Sequence, residues 1–322
     1  MFFSFLFFAC NACISCAPDL PLDDQNQDSK DNQNGDSGKS DSGDTATDTA
    51  PPNPCPVMEE EPNGDYDRAQ VVQMEKWICG TFDEASESAA DLDVYSFTTS
   101  ETGWVKMWIR GEELGSSADL MLTLKIGNET AISTFSPGTT DPMLVVPLEA
   151  NTHVFAAIQD QFNDFGDNLF YEALFTTVKP PVEYNTTEEE NLDNSSSNDG
   201  LSSAQELEPN DRVFGTISNN FDRDWYFVDL PAGEQTLQLT VEAHYYGSPI
   251  DLVISLYPPE TFTDSSVGPV RVRNGGLYSS SYDPYLEYNI ENGGKWGILL
   301  ESNTDTGSDL YWYVLDVKSV VE

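Results

Sequence analysis

One ordered set of motifs occurs twice in this chain, and that duplication constrains the fold more than any other feature. Glu59-Glu-Glu-Pro-Asn63 precedes Asp91-Leu-Asp-Val-Tyr95, and Glu206-Leu-Glu-Pro-Asn-Asp211 precedes Asp222-Arg-Asp-Trp-Tyr226. In the same order Gly215-Thr-Ile217 answers Gly80-Thr-Phe82, Trp225 to Val228 answers Val94 to Phe97, and Ala232-Gly233 answers Thr102-Gly103. Asp251 to Leu256 then answers Asp119 to Leu124, Trp296 to Leu300 answers Val154 to Ile158, and Leu310 to Leu315 answers Leu169 to Leu174. Two copies indicate a tandem duplication and are too few for a solenoid.

Inside each copy the apolar residues alternate over short runs, as in Thr236-Leu-Gln-Leu-Thr-Val241, and Gly, Pro, Asn and Asp punctuate them. Period-two runs separated by turn residues read as strands, and no segment carries a helical period. The expected fold is all-β: two tandem antiparallel β-sandwich domains, jelly-roll-like, over 55–178 and 204–322. A polar linker over 179–203 joins them, and a disordered acidic tether over 17–54 precedes them. The tether holds almost nothing apolar after Leu22 and so cannot bury enough surface to offset its ordering entropy. As a flexible coil of roughly 40 residues it would average about 35 Å end to end.

The chain begins MFFSFLFFA, an apolar run too short to cross a bilayer as a helix, with cysteines following at 10, 13 and 16. The run reads as the core of an export signal. With cysteines close behind small residues, it looks like a bacterial lipoprotein signal over 1–16. That resemblance implies lipid attachment at Cys10 or, alternatively, Cys16, and an exported protein held at the cell envelope or surface. A metal or cluster site at the three cysteines is the competing reading, weakened by the absence of a fourth cysteine or a histidine nearby. Export implies an oxidising compartment, so Cys55 and Cys79, the two cysteines of the folded part, are expected to form a disulfide.

Acidic residues outnumber basic ones 56 to 14, for a net charge of -42. Such a chain cannot neutralise phosphates, which excludes nucleic acid as a partner. The balance favours cation binding or simple solvation of the linkers.

With E-x-E-P-N, then D-x-D-x-Y, a Gly turn and D-L-x-(L/I), each copy resembles the bacterial pre-peptidase C-terminal domain. Its relatives include the collagen-binding domains of clostridial collagenases. The resemblance implies non-catalytic β-sandwich modules that bind calcium near the N-terminal acidic segment. It places the ligands at Glu206, Glu208, Asn210, Asp211, Asp222 and Asp224 in the second copy, and at Glu59, Glu61, Asn63, Asp91 and Asp93 in the first. Gly64 stands where the second copy has Asp211, with Asp65 as the nearest substitute. The chemistry agrees, since calcium takes six to eight hard oxygen ligands and carboxylates one residue apart in a strand share a side. The competing reading is that Asp91 and Asp222 cap turns while Asp93 and Asp224 face solvent.

No enzyme is expected. His153 and His244 are the sole histidines, neither sits in a metalloprotease-type motif or beside a nucleophile, and both read as surface residues. Tyr245, Tyr246, Tyr278, Tyr282, Tyr285 and Tyr288 would form either a sugar- or peptide-binding face or ordinary sheet surface. The expected role is binding or adhesion at the cell surface, to an extracellular protein or polysaccharide, by a monomer carrying calcium. A calcium-stiffened spacer, or an accessory or inhibitor of a separate secreted peptidase, are the alternatives.

Overall fold

The computed structural model describes residues 55–83, 91–166, 168–189, 198–276 and 282–321. The lipid-attachment candidates Cys10 and Cys16, the tether and Tyr278 lie outside the described residues.

The described part is all-β and splits into two sandwiches of ten strands each. The first holds β1 (Val57–Met58), β2 (Gln70–Val71), β3 (Trp77–Thr81), β4 (Leu92–Thr98), β5 (Gly103–Arg110), β6 (Leu120–Ile126), β7 (Glu129–Ser133), β8 (Met143–Leu148), β9 (His153–Asp160) and β10 (Phe170–Val178). The second holds β11 (Thr186–Thr187), β12 (Gln205–Leu207), β13 (Arg212–Thr216), β14 (Arg223–Leu230), β15 (Gln235–Glu242), β16 (Leu252–Tyr257), β17 (Arg271–Asn274), β18 (Tyr285–Ile290), β19 (Gly294–Ser302) and β20 (Trp312–Val321).

Sheet orders β1-β3-β10-β5-β8 and β2-β4-β9-β6-β7 recur as β11-β13-β20-β15-β18 and β12-β14-β19-β16-β17, so strand n of the first sandwich matches strand n+10 of the second. The pairings are antiparallel except at one edge of each sheet, where β1, β2, β11 and β12 run parallel to their neighbours. The expected antiparallel β-sandwiches are present, and the parallel pairs are confined to those edges, where the entering chain serves one sheet and then crosses to the other. Alternation makes these strands: β15 buries every second residue, and its inward Leu237, Leu239 and Val241 join the second core.

Three details correct the sequence reading. First, β11 lies inside 179–203, so the second sandwich starts within the span read as linker. Second, Gly80 faces Tyr171 across the ladder as Gly215 faces Tyr313, so the last strands match with Tyr171 on Tyr313 rather than on Trp312. Third, the sandwiches are packed against each other. Trp104, Val145, Val182, Trp312 and Val314 make a third apolar cluster between them, with the rings of Trp104 and Trp312 4.9 Å apart. The Val145 amide donates to Gly247 O at 2.9 Å, and the Trp312 indole N–H donates to Val145 O.

Candidate metal centre

Carboxylate oxygens of Glu59, Glu61 and Asp93 all lie within 4.8 Å of one another, the one group of three potential metal-ligating side chains among the described residues. Backbone placement brings them together. Glu59 follows β1, whose parallel pairing sets the Glu59 amide on Cys79 O at 3.0 Å. Its carboxylate then accepts the Thr81 amide (2.9 Å) and hydroxyl (3.3 Å). Asp93 is on β4 of the facing sheet, fully buried, and accepts the Tyr171 hydroxyl at 2.7 Å; that hydroxyl is in turn 2.7 Å from the Tyr95 hydroxyl. Glu61 accepts the Asn63 amide at 3.0 Å, and Asn63 O accepts the Val94 amide at 3.2 Å. Gly80 leaves the space: a Cβ there would stand 2.3 Å from Glu59 Oε2 and from the Tyr171 ring.

The electrostatics are unfavourable as they stand. Burial, with the charges of Asp91 and Glu61 adding, pushes Glu59 up to about 7. Burial and the neighbouring Glu59 charge push Asp93 up to about 8. Asp91 is raised as well, by burial first, although it accepts the Asp83 amide at 2.6 Å. Asn63 is completely buried, and neither its side-chain oxygen nor its nitrogen has a hydrogen-bond partner; Asp93 Oδ1 is likewise unpartnered. Buried polar atoms without partners are costly and rare in folded proteins. All the donors are hard oxygens, the set that calcium prefers.

The second sandwich repeats this geometry with other residues than the sequence suggests. Glu188 takes the place of Glu59: its amide donates to Phe214 O, and its carboxylate accepts the Thr216 amide at 2.7 Å. A Cβ on Gly215 would meet Tyr313 at 2.5 Å and Glu188 Oε2 at 2.8 Å. Asn198 takes the place of Asn63, buried and with its backbone carbonyl accepting the Trp225 amide at 2.8 Å. Asp224 accepts the Tyr313 hydroxyl at 2.6 Å, as Asp93 accepts Tyr171, and Asp222 accepts the Ser218 amide, as Asp91 accepts Asp83. Burial, then the charge of the adjacent Glu188, raises Asp224 well above the usual carboxylate range.

Glu206, Glu208, Asn210 and Asp211 are elsewhere, which corrects their assignment as ligands. Glu206 is exposed on β12, paired with Phe227, and Glu208 is exposed. Asp211 closes a turn by accepting the Glu208 amide at 2.8 Å. Asn210, at φ +80, donates its amide to Val317 O, as Glu75, at φ +68, donates to Phe175 O. The motif Glu-Leu-Glu-Pro-Asn-Asp therefore matches the β2–β3 turn of the first sandwich and not its acidic segment.

Other residues also resolve. Cys55 and Cys79 are disulfide-bonded, with 5.9 Å between Cα atoms, directly beside Glu59 and Gly80. His153 is exposed at the start of β9, opposite Thr98 and away from Asp93, but His244, expected at the surface, is buried. Among the described residues the tyrosines are dispersed: Tyr246 packs at the junction between sandwiches, Tyr282 against His244, and Tyr288 against Trp296. An aromatic feature missed by the sequence reading lies on the first sandwich. The Arg110 guanidinium stands 4.1 Å from the Trp77 ring and 5.7 Å from that of Trp108, and it is ion-paired with Glu172. Next to it a cavity of about 370 Å³ is lined by Met58, Glu59, Leu114, Phe170, Tyr171 and Glu172, among others.

No family model and no curated protein matches the sequence. Among solved structures, the pre-peptidase C-terminal domain of a collagenase from Bacillus anthracis is similar at 16% identity over 36% of this chain and 94% of that one, with a TM-score of 0.28. The tandem CBM51 modules of a family 98 glycoside hydrolase from Streptococcus pneumoniae are similar at 13% identity over 78% of this chain and 85% of that one, with a TM-score of 0.26. Neither likeness bears on ligand or activity.

Proposed function

We propose that this protein is a pair of non-catalytic binding modules of the pre-peptidase C-terminal kind, exported and held at the cell envelope by a lipid on Cys10 or Cys16. In this reading calcium is held in the first sandwich by Glu59, Glu61, Asn63 and Asp93, with Asp91 beside them. Glu188, Asn198, Asp222 and Asp224 form the corresponding set in the second. The observation that carries the reading is the buried Asn63 amide, without partners, beside Glu59 and Asp93, whose ionisation burial and the neighbouring carboxylates oppose. A calcium ion would supply the positive charge that these oxygens lack.

The cavity beside Glu59, with the Trp77–Arg110–Trp108 ladder next to it, is the face we assign to an extracellular protein or polysaccharide. Aromatic rings and an arginine are the residues that dominate binding energetics at interfaces. Two measurements test the reading. Terbium, a calcium mimic, should give saturable luminescence, sensitised by Tyr95 and Tyr171 in the first sandwich and by Tyr226 and Tyr313 in the second, that calcium displaces, that Asp93→Asn lowers and that Asp93→Asn with Asp224→Asn removes. A glycan and matrix-protein array, run with calcium and with chelator, should show a ligand lost in Trp108→Ala. Metal binding with no array ligand would instead favour the spacer reading.

A further inference from the structure

A second cavity, of about 150 Å³, opens where the two sandwiches meet, and its chemistry is unlike that of the carboxylate cluster. Ile132, Ser133, Thr134, Phe135 and Met143 line it from the first sandwich; His244, Ser248, Pro249, Asp251 and Tyr282 line it from the second. Two of these side chains bring buried polar atoms with no hydrogen-bond partner, His244 Nδ1 and Ser248 Oγ, and Asp251 adds a half-buried carboxylate held by Asn303 and Asn274. His244 is only 8% exposed and Ser248 only 2%. Each such atom costs stability unless a guest satisfies it, and two of them meet at this one small cavity.

The walls are built rather than loose. Asp283 accepts the amides of Ala243, His244 and Tyr245 at 3.1, 2.7 and 2.9 Å and so fixes the turn that carries His244. The Asn303 side-chain amide donates to Asp251 Oδ2 at 2.8 Å and holds that carboxylate. Phe135, His244 and Tyr282 form an aromatic wall, with ring centroids 5.0 Å apart for Phe135 and His244, 5.6 Å for Phe135 and Tyr282, and 4.9 Å for His244 and Tyr282. Burial pushes His244 down to about 4, so at neutral pH its ring is uncharged and a nitrogen can accept.

The lining chooses the guest. Asp251 is its one carboxylate, and with His244 uncharged the lining offers an anion no positive charge. A hard metal ion wants six or more oxygens, and half of this wall is carbon and sulfur. A primary ammonium has three N–H donors and no acceptor, and aromatic faces attract its charge. We propose that the cavity between the two sandwiches binds a primary alkylammonium group, from a free amine or a lysine side chain. Its three N–H donors meet His244 Nδ1, Ser248 Oγ and Asp251, and its alkyl stem lies against Ile132, Met143 and Pro249. The chain's net charge of -42 would concentrate such cations around it.

His244 and His153 are the only histidines, so two ring signals report on the cavity and on a control site in one NMR spectrum of the full chain. Titration with n-butylammonium chloride or with Nα-acetyl-lysine amide, at constant ionic strength, should move the His244 signal saturably and leave that of exposed His153 in place. The tighter of the two probes names the source. Asp251→Asn should weaken binding by at least about tenfold, because a charge-assisted hydrogen bond is the stronger kind. Ser248→Ala should weaken it less, and serves should Asp251→Asn not fold. The proposal is overturned if neither probe shifts His244, if 1-butanol shifts it as strongly as the ammonium, if His153 follows in parallel, or if both folded variants bind as the parent does.

Discussion

Tyr184 stacks on Phe214, centroids 5.0 Å apart and planes at 30°, in the positions that Cys55 and Cys79 hold in the first sandwich. The match is residue by residue: Cys55 precedes Glu59 by four positions as Tyr184 precedes Glu188, and Glu59 and Glu188 bond the carbonyls of Cys79 and Phe214. One copy pins its acidic segment by a covalent bridge, the other by ring contact. Closing a loop of 24 residues is worth about 3 kcal/mol in the chain-entropy model, and an aromatic pair about 0.5–1.5 kcal/mol beyond its buried area. Reduction should therefore lower the urea midpoint more than Tyr184→Ala does. Equal losses would contradict this division of roles.

The raised carboxylates predict a pH dependence with a definite sign. Glu59 and Asp93 have folded-state values of about 7 and 8 against ordinary values of 4.5 and 3.8. A group raised on folding contributes stability that is present below its ordinary value and lost as pH climbs through the folded one. In chelator, stability should thus fall between about pH 4 and pH 8. Calcium, which favours the ionised form, should flatten that fall, and its binding at pH 7 should release protons. Urea unfolding at pH 5 and pH 8, with and without calcium, gives the answer; stability rising with pH in chelator would show these carboxylates to be ordinary surface groups.

Gly80 and Gly215 exist for close approach, so alanine at either should clash where the new Cβ stands 2.3 Å from Glu59 Oε2 or 2.5 Å from Tyr313. Overpacking of this kind costs about 1–3 kcal/mol. Gly80→Ala should also weaken terbium binding to the first sandwich, because Glu59 must turn away, while Gly215→Ala leaves that sandwich unchanged. Equal luminescence in Gly80→Ala and the parent would place the ion elsewhere.

Much of the fold was legible because strict alternation, as in β15, and the order of the motifs leave few alternatives. The first acidic cluster was legible for the same reason, since Glu59 to Asn63 is compact in the sequence. The second was not. Glu188 lies ten residues before Asn198 where Glu59 lies four before Asn63, and that insertion breaks the pattern. Glu206 to Asp211 mimics it by chance in a turn whose real constraint is the left-handed conformation of Asn210. A usable signal did exist: Glu188-Glu-Glu190 repeats Glu59-Glu-Glu61, and each triplet precedes a Gly-Thr pair on the neighbouring strand. Burial of His244 and Val182 depends on one sandwich meeting the other, which no local pattern encodes.

That meeting hangs on Val145, whose amide donates to Gly247 O and whose carbonyl accepts the Trp312 indole. Gly247 has φ +97, and a Cβ there would lie 2.7 Å from Val145 Cγ2 and 3.0 Å from Val145 N. Gly247→Ala must therefore both strain the backbone and push β8 away, at a cost of about 1–3 kcal/mol from the strain alone. Gly233→Ala is the matched control, because its φ is +139 but nothing lies within 4 Å of the new Cβ. Both variants should lose stability, but Gly247→Ala alone should let the sandwiches reorient, seen as a larger radius of gyration in X-ray scattering and faster backbone tumbling in NMR relaxation. If Gly233→Ala loosens the pair as much, or Gly247→Ala leaves it rigid, the Val145 contact is not what joins the two sandwiches.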